Sequence, residues 1–182
     1  MADSNITKHA LAQALKELLR DRSLEKISVG SICEACGMNR KSFYYHFKDK
    51  YDLVNWIYYT EFIDRMKTKT YTASWDVIDD LCEYLFDNKE FYQKTLQMEG
   101  QNSFSDYLRD ILIAFFMEDL EEAFSKEPSV RPFAEFYADA IICALKKWLV
   151  QRDCISPLEF SSFIKKCISG IADHLLQPPE TY

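Results

Sequence analysis

Apolar side chains recur every three or four residues along most of the chain, which is the spacing of helices with one buried face. The runs are separated by residues that start or stop helices rather than by alternating strand patterns. The pattern predicts an all-α fold with helices over 6–21, 29–36, 40–47, 50–67, 74–87, 89–99, 103–126, 131–152 and 157–176.

Capping residues predict two short helices joined by a tight turn, followed by a third helix. Ser28 and Asn39 can each accept a hydrogen bond from a free backbone N–H in the first turn of the helix that follows. Gly37 suits the left-handed residue that ends the first short helix, and Asp49 can cap the helix that begins at Lys50. The segment therefore has the layout of a helix-turn-helix motif.

The second short helix carries an unusual set of exposed side chains. Phe43 and Phe47 are four residues apart and share one face, so we predict that they anchor the helix in the core. Lys41 and Tyr45 then point away from the core. Cations, phenols and hydroxyls on one short helix suit a DNA groove, and the alternative is a polar surface helix that carries tyrosines.

We predict base contacts for the residues near the N-terminal end of this helix, which are Arg40, Lys41 and Tyr44. We predict phosphate contacts for the remaining polar residues of the motif, which are Ser42, Tyr45, His46, Lys50, Ser28 and Asn39.

Charge is distributed unevenly along the chain. The net charge of −7 would by itself argue against nucleic acid. Residues 1–50, however, carry nine Lys and Arg against six Asp and Glu, whereas residues 51–182 carry thirteen against twenty-three. A basic head and an acidic body fit a protein that presents one end to DNA.

Composition indicates a compact helical protein, because 48% of the residues are hydrophobic and only four are glycine. No segment has the apolar length of a membrane span, and the polar N-terminus lacks the apolar region of a signal peptide. We expect a cytoplasmic protein with no membrane partner, in which the six cysteines are reduced.

Catalytic or metal chemistry has little support in the sequence. Cys33 and Cys36 form a CxxC pair, but no second pair of ligands follows at zinc spacing, so we expect small buried side chains rather than a metal or redox site. The three histidines are far apart, and there is no Gly-rich phosphate loop and no GxSxG. We expect neither an enzyme nor a cofactor; a helical interaction module without a DNA role is the further alternative.

The stretch ISVGSICEACGMNRKSFYYHFKDKYDLV resembles the DNA-binding domain of the TetR/AcrR family of bacterial transcriptional regulators, most of all in FYYHFKDKYDL. The resemblance covers about residues 7–65. It implies a DNA-binding domain over 1–50, an effector-binding and dimerisation domain over 51–182, and a ligand-responsive repressor that binds a palindromic operator as a homodimer.

The last two helices carry wide apolar stripes, which include Ile141, Leu145, Ile164 and Ile168. An ordinary intramolecular core would also produce them. Because the family pairs its last two helices with those of a second subunit, we expect a homodimer through 131–152 and 157–176.

The resemblance also implies an effector pocket in the body, although aromatic and Met side chains are commonly plain core. The candidate lining residues are Trp56, Tyr59, Phe86, Phe91, Met98, Tyr107 and Phe115. The run DKYDLVNWIYYTEF resembles a branch of the family with regulators of dihydroxyacetone kinase operons, one of which is an activator that works through a partner protein. The sequence therefore leaves open whether the effector is a small molecule or a partner protein, and whether the protein is a repressor or an activator.

Overall fold

The computed structural model describes residues 2–71, 75–98, 102–123 and 129–176. Within these ranges all regular structure is helical and no residue lies in a β-strand. In chain order the elements are α1 (Ala2–Asp21), a 3₁₀ turn (Leu24–Lys26), α2 (Val29–Ala35), α3 (Arg40–His46), α4 (Lys50–Tyr58), a π-helical turn (Tyr59–Ile63), α5 (Asp64–Met66), α6 (Asp76–Asp87), α7 (Lys89–Thr95), α8 (Phe104–Ala123), α9 (Arg131–Val150) and α10 (Pro157–Leu176).

The predicted all-α architecture is confirmed. If α4, the π-helical turn and α5 are counted as one continuous helix, the described residues form nine helices, in the predicted order. The largest differences in bounds are four residues each: α1 begins at Ala2 rather than at residue 6, and α7 ends at Thr95 rather than at residue 99. Ile6, near the N-terminal end of α1, is 66% exposed, so the helix extends beyond its buried face.

The helix that was predicted as regular over 50–67 contains a π-helical turn. The backbone N–H of Asp64 donates to the carbonyl of Tyr59, five residues earlier. The hydroxyl of Thr60 donates to the carbonyls of Trp56 and Ile57, at 2.8 and 3.2 Å, so a side chain competes for backbone acceptors where the helix widens.

Contacts divide the chain into two compact units, Met1–Lys69 with Asn88–Tyr107, and Thr70–Asp87 with Leu108–Tyr182. This division differs from the functional boundary predicted at residue 50, because α4 packs on α1 and buries Leu53, Val54 and Ile57 in the first unit. The assignment of DNA binding to 1–50 and of effector binding to 51–182 stays a prediction.

In the first unit, α1 packs against α2, α3, α4 and α7. The Lys94 ammonium of α7 donates to the carbonyls of Leu19 and Arg20, which would otherwise lack partners at the C-terminal end of α1. Lys16 of α1 pairs with Glu61 of the π-helical turn at 2.6 Å. Polar contacts thus tie α1 to α7 and to the π-helical turn. The core of the first unit contains Leu11, Leu15, Ile32, Phe43, Leu53, Ile57, Tyr58 and Tyr92.

In the second unit, α10 packs against α6 through apolar and charged contacts. The Asp79 carboxylate accepts hydrogen bonds from the buried Ser161 hydroxyl and from the Lys165 ammonium, each at 2.5 Å. Trp148 of α9 stacks on Phe160 of α10 with 4.3 Å between ring centroids. None of the described helices is both long enough and apolar enough to cross a lipid bilayer.

Candidate nucleic-acid interface

Capping hydrogen bonds hold the ends of the two short helices where the sequence predicts them. The backbone N–H of Ser31 donates to the Ser28 hydroxyl at 3.1 Å, and the N–H of Ser28 donates to the Ser31 hydroxyl at 3.0 Å. Gly37 has φ +67°, the left-handed conformation that favours glycine. The Asn39 side chain accepts from the N–H of Ser42 at 2.9 Å. These bonds fix the turn between α2 and α3.

The buried face of α3 is the predicted one. Phe43 is 0% exposed and Phe47, which follows the helix, is 3% exposed. Their ring centroids lie 5.7 Å apart. On the opposite side Tyr45 is 82% exposed and Tyr44 is 51% exposed, and Lys41 is exposed as well. A short helix therefore presents cationic and phenolic groups outward from the first unit.

Arg40 is not isolated on this surface. Its Nη2 donates to the Tyr44 hydroxyl at 3.4 Å, and its guanidinium carbon lies 6.0 Å from the centroid of the Tyr44 ring. The hydrogen bond to Tyr44 raises the pKa of the Arg40 guanidinium. Arg40 and Tyr44, two of the three residues predicted to contact bases, thus contact each other on the outward face of α3.

Lys50 has a different environment from the predicted one. Its ammonium donates to the carbonyls of Leu24, Ile27 and Glu25, at 2.7, 2.9 and 3.3 Å. Burial lowers the pKa of this ammonium. Three carbonyls thus occupy all three of its donor hydrogens, and Lys50 fastens the segment before α2 to the start of α4. The predicted phosphate contact stays a prediction, and it competes with these bonds.

Three further predicted phosphate ligands also take part in caps. Ser28 accepts the Ser31 N–H, as described above, and the Ser42 hydroxyl donates to Asn39 Oδ1 at 3.2 Å. Ser42 thus uses its one hydroxyl proton inside the protein, whereas the amide NH₂ of Asn39 is not used by this cap. Tyr45 and His46 pack edge to face with centroids 4.9 Å apart.

Lys8, which no sequence motif indicated, lies beside the end of α3. Its ammonium is 5.9 Å from the centroid of the Phe47 ring and 5.8 Å from that of Trp56. The imidazole of His9 meets Trp56 edge to face at 5.1 Å. The one sequence feature that could have indicated this placement is that Lys8 lies three residues before Leu11, at the edge of the buried face of α1.

The seven candidate effector residues lie in different environments. In the first unit, Trp56 packs against Phe47. Tyr59 accepts a hydrogen bond from Lys67, Phe91 packs against Tyr92, Tyr107 packs against Tyr58, and Met98 is buried. In the second unit, Phe86 stacks on Trp148 and Phe115 meets Trp75. Each aromatic ring of the set is therefore accounted for by a local contact.

The CxxC cysteines lie at the C-terminal end of α2. Cys33 is buried, and the half-buried Cys36 directs its thiol at the carbonyl of Ile32, 3.3 Å away. Burial raises the pKa of both thiols. A raised pKa disfavours the thiolate that metal binding and disulfide exchange require.

This geometry, a capped helix-turn-helix with a basic and phenolic second helix, defines a DNA-binding transcriptional regulator. Residues 11–57 match the bacterial regulatory proteins of the tetR family, and residues 74–170 match a transcriptional regulator C-terminal region of the TetR type. The chain belongs to the TetR family, a class of regulators rather than of enzymes.

Individual relatives agree with this assignment. The chain is 30% identical over 95 residues to the HTH-type dhaKLM operon transcriptional activator DhaS of Lactococcus lactis subsp. lactis (strain IL1403). That match covers 52% of this chain and 51% of DhaS, so it spans about half the length of this curated relative. The predicted similarity to the dihydroxyacetone kinase operon branch is confirmed.

Solved structures show the same fold. A dihydroxyacetone kinase operon activator DhaS has a TM-score of 0.66 at 21% identity, over 93% of this chain and 97% of that one. A TetR transcriptional regulator from Streptococcus agalactiae 2603V has a TM-score of 0.71 at 20% identity, over 92% and 96%. NalD, the secondary repressor of the MexAB-OprM efflux pump in Pseudomonas aeruginosa, has a TM-score of 0.62 at 16% identity, over 93% and 97%.

The environment of Lys50 generates a prediction. Lys50→Met should lower the free energy of unfolding by about 1–3 kcal/mol, because buried carbonyls lose their donor. Urea-induced unfolding followed by circular dichroism measures this change, and Lys48→Met, at an exposed neighbouring lysine, is the matched control. If Lys50→Met keeps full stability and instead lowers the salt dependence of DNA binding by about one unit, Lys50 contacts a phosphate after all.

Proposed function

We propose that this chain acts in the cytoplasm as a homodimeric, ligand-responsive repressor, and that each copy inserts α3 into the major groove of one half of a palindromic operator. The outward face of α3 carries the proposal, because the burial of Phe43 leaves Lys41, Tyr44 and Tyr45 exposed together. A helix with this surface fits a groove lined by phosphates and base edges.

Within α3 we assign base contacts to Arg40 and Lys41, with Tyr44 in the same patch. Both cations lie in the first turn of the helix, the part that comes nearest to base edges in this type of motif. We assign phosphate contacts to Tyr45 and His46. We assign them also to the amide of Asn39 and the hydroxyls of Ser28 and Ser42, which lie at the starts of α2 and α3. Lys8, beside the end of α3, adds a cation on the same unit.

The proposed dimer uses a narrower surface than the apolar stripes of α9 and α10 suggest. Ile141, Leu145, Ile164 and Ile168 are all at most 5% exposed within a single chain. An apolar groove between the two helices nevertheless remains open at Phe163, which is 53% exposed. Its two cavities, of about 540 and 240 Å³, share Ala140, Ala144 and Phe163 as lining residues.

Further apolar side chains lie exposed on the same two helices and on the loop between them, and they are Phe136, Val150, Ile155 and Leu158. Exposed apolar surface of this kind marks an interaction site. A second copy that presents the same groove would cover it around a two-fold axis. The ranges 131–152 and 157–176 stay our proposed dimer interface, with its centre at Phe163.

A second candidate function is transcriptional activation controlled by a partner protein. The observation that favours it is the 30% identity to a relative whose name describes a transcriptional activator. In either case a small molecule or a partner protein can act as a signal only if it binds the conformation that binds the operator and the conformation that does not with different affinities.

The division of contacts on α3 is testable with DNA that the wild-type protein selects from a randomised duplex library. Arg40→Ala should cost about 1–3 kcal/mol on the selected duplex and relax its sequence preference. Tyr45→Phe should weaken binding to selected and random duplexes alike, because a phosphate contact carries no sequence information. Equal losses of both variants on both duplexes would refute the division, and wild-type affinity in both would remove α3 from the interface.

The dimer surface is testable by sedimentation. Phe163→Glu should convert the protein to a monomer and weaken operator binding, while helix content stays unchanged, because the ring is half exposed in a single chain. Ile6→Glu, at an apolar residue of α1 that is also more than half exposed, is the control. Ile168→Glu is unsuitable because Ile168 is buried. A wild-type protein that sediments as a monomer at micromolar concentration contradicts the proposal.

The direction of regulation is testable with a reporter gene in cells. A repressor should lower expression when the selected duplex overlaps the core promoter, because the bound protein blocks polymerase. An activator should instead raise expression when the duplex lies upstream of the promoter. Expression that rises only from the upstream position would replace our first proposal with the second.

A further inference from the structure

Arg40 and Tyr44 lie one turn apart on the outward face of α3. We propose that Tyr44 is a positioning residue that holds the Arg40 guanidinium ready for one guanine in each half-site, rather than a residue that contacts a base itself. This inference rests on the proposed insertion of α3 into the major groove.

The support for Arg40 begins in the core of the first unit. Phe43 is 0% exposed, and the Tyr44 ring meets it edge to face with centroids 5.5 Å apart. The Tyr44 hydroxyl in turn accepts from Arg40 Nη2 at 3.4 Å, and the guanidinium carbon is 6.0 Å from the ring centroid. A buried ring thus steadies an exposed ring, and the exposed ring holds the arginine.

The contact leaves the arginine able to bind a base. A guanidinium has five N–H donors, and the Tyr44 hydroxyl uses one of them. The remaining donors suffice for the two acceptors of guanine in the major groove, O6 and N7. A long arginine side chain loses rotamer freedom when it binds, so an arginine that is already held in the free protein loses less.

The neighbouring tyrosine provides a contrast. Tyr45 is 82% exposed, and its ring contacts His46 rather than Arg40. The two tyrosines are adjacent, of the same type and on the same helix, yet Tyr44 alone of the two touches the arginine. Removal of one hydroxyl from each is therefore a matched pair of changes.

The test is a double-mutant cycle on a duplex that the wild-type protein selects from a randomised library. Tyr44→Phe should weaken binding to that duplex by about 3- to 10-fold in the wild-type background. In the Arg40→Ala background the same change should have an effect of less than about 2-fold, because the arginine it positions is gone. Tyr45→Phe should cost the same in both backgrounds.

A change in the DNA locates the contact. Each guanine of the selected half-site is replaced in turn by 7-deazaguanine, which lacks the N7 acceptor. One replacement should weaken binding of the wild-type protein, should weaken Tyr44→Phe less, and should leave Arg40→Ala unaffected. Thermal unfolding and affinity for random DNA should be unchanged in Tyr44→Phe, since only an exposed hydroxyl is removed.

The outcomes separate the inference from the function on which it rests. If Tyr44→Phe costs the same with and without Arg40, Tyr44 contacts DNA itself and the positioning role is wrong, although α3 still lies in the groove. If Arg40→Ala alters neither affinity nor the selected sequence, both the positioning role and the proposed assignment of Arg40 fail.

Discussion

The burial of Phe43 is the interaction on which the candidate interface depends. A helix of seven residues is too short to be stable by itself in water, so α3 must gain its stability from packing and caps. Phe43 is fully buried and packs against Phe47. Because each residue turns the helix by about 100°, the inward direction of Phe43 sets the outward directions of Lys41, Tyr44 and Tyr45. The proposed recognition surface is therefore a consequence of the core.

Polar side chains in the first unit are divided between folding and recognition. Ser28, Asn39 and Lys50 all satisfy backbone groups at the ends of helices or in the segment before α2. Groups that are engaged in this way make the motif rigid, and rigidity lowers the entropic cost of binding. Fewer polar side chains are therefore left to bind DNA than the composition suggests, so the proposed DNA binding depends more strongly on Arg40 and Lys41.

Local patterns in the sequence predicted the helix ends and the face of α3, because a cap and its partner lie within three residues of each other. The partners of Lys50 lie 23 to 26 residues away, and no local spacing indicates them. The apolar stripes of α9 and α10 were visible, but periodicity does not distinguish a buried side chain, such as Ile168, from one left exposed, such as Phe163. Aromatic content likewise does not specify neighbours, so the ring contacts of the candidate effector residues could not be predicted from the sequence.

Under the proposed function, the small number of base-reading groups makes a second copy necessary. On our assignment each α3 offers Arg40 and Lys41 to bases, and a good contact to a base gives about 1–3 kcal/mol of discrimination. Specific sites are typically bound about 4–10 kcal/mol more tightly than random DNA. One helix thus reaches only the lower part of that range, whereas two helices on a palindrome cover most of it. In the proposed dimer, the groove at Phe163 would therefore contribute to sequence specificity without touching DNA, because it would join two copies, each with few base contacts, into one dimer with twice as many.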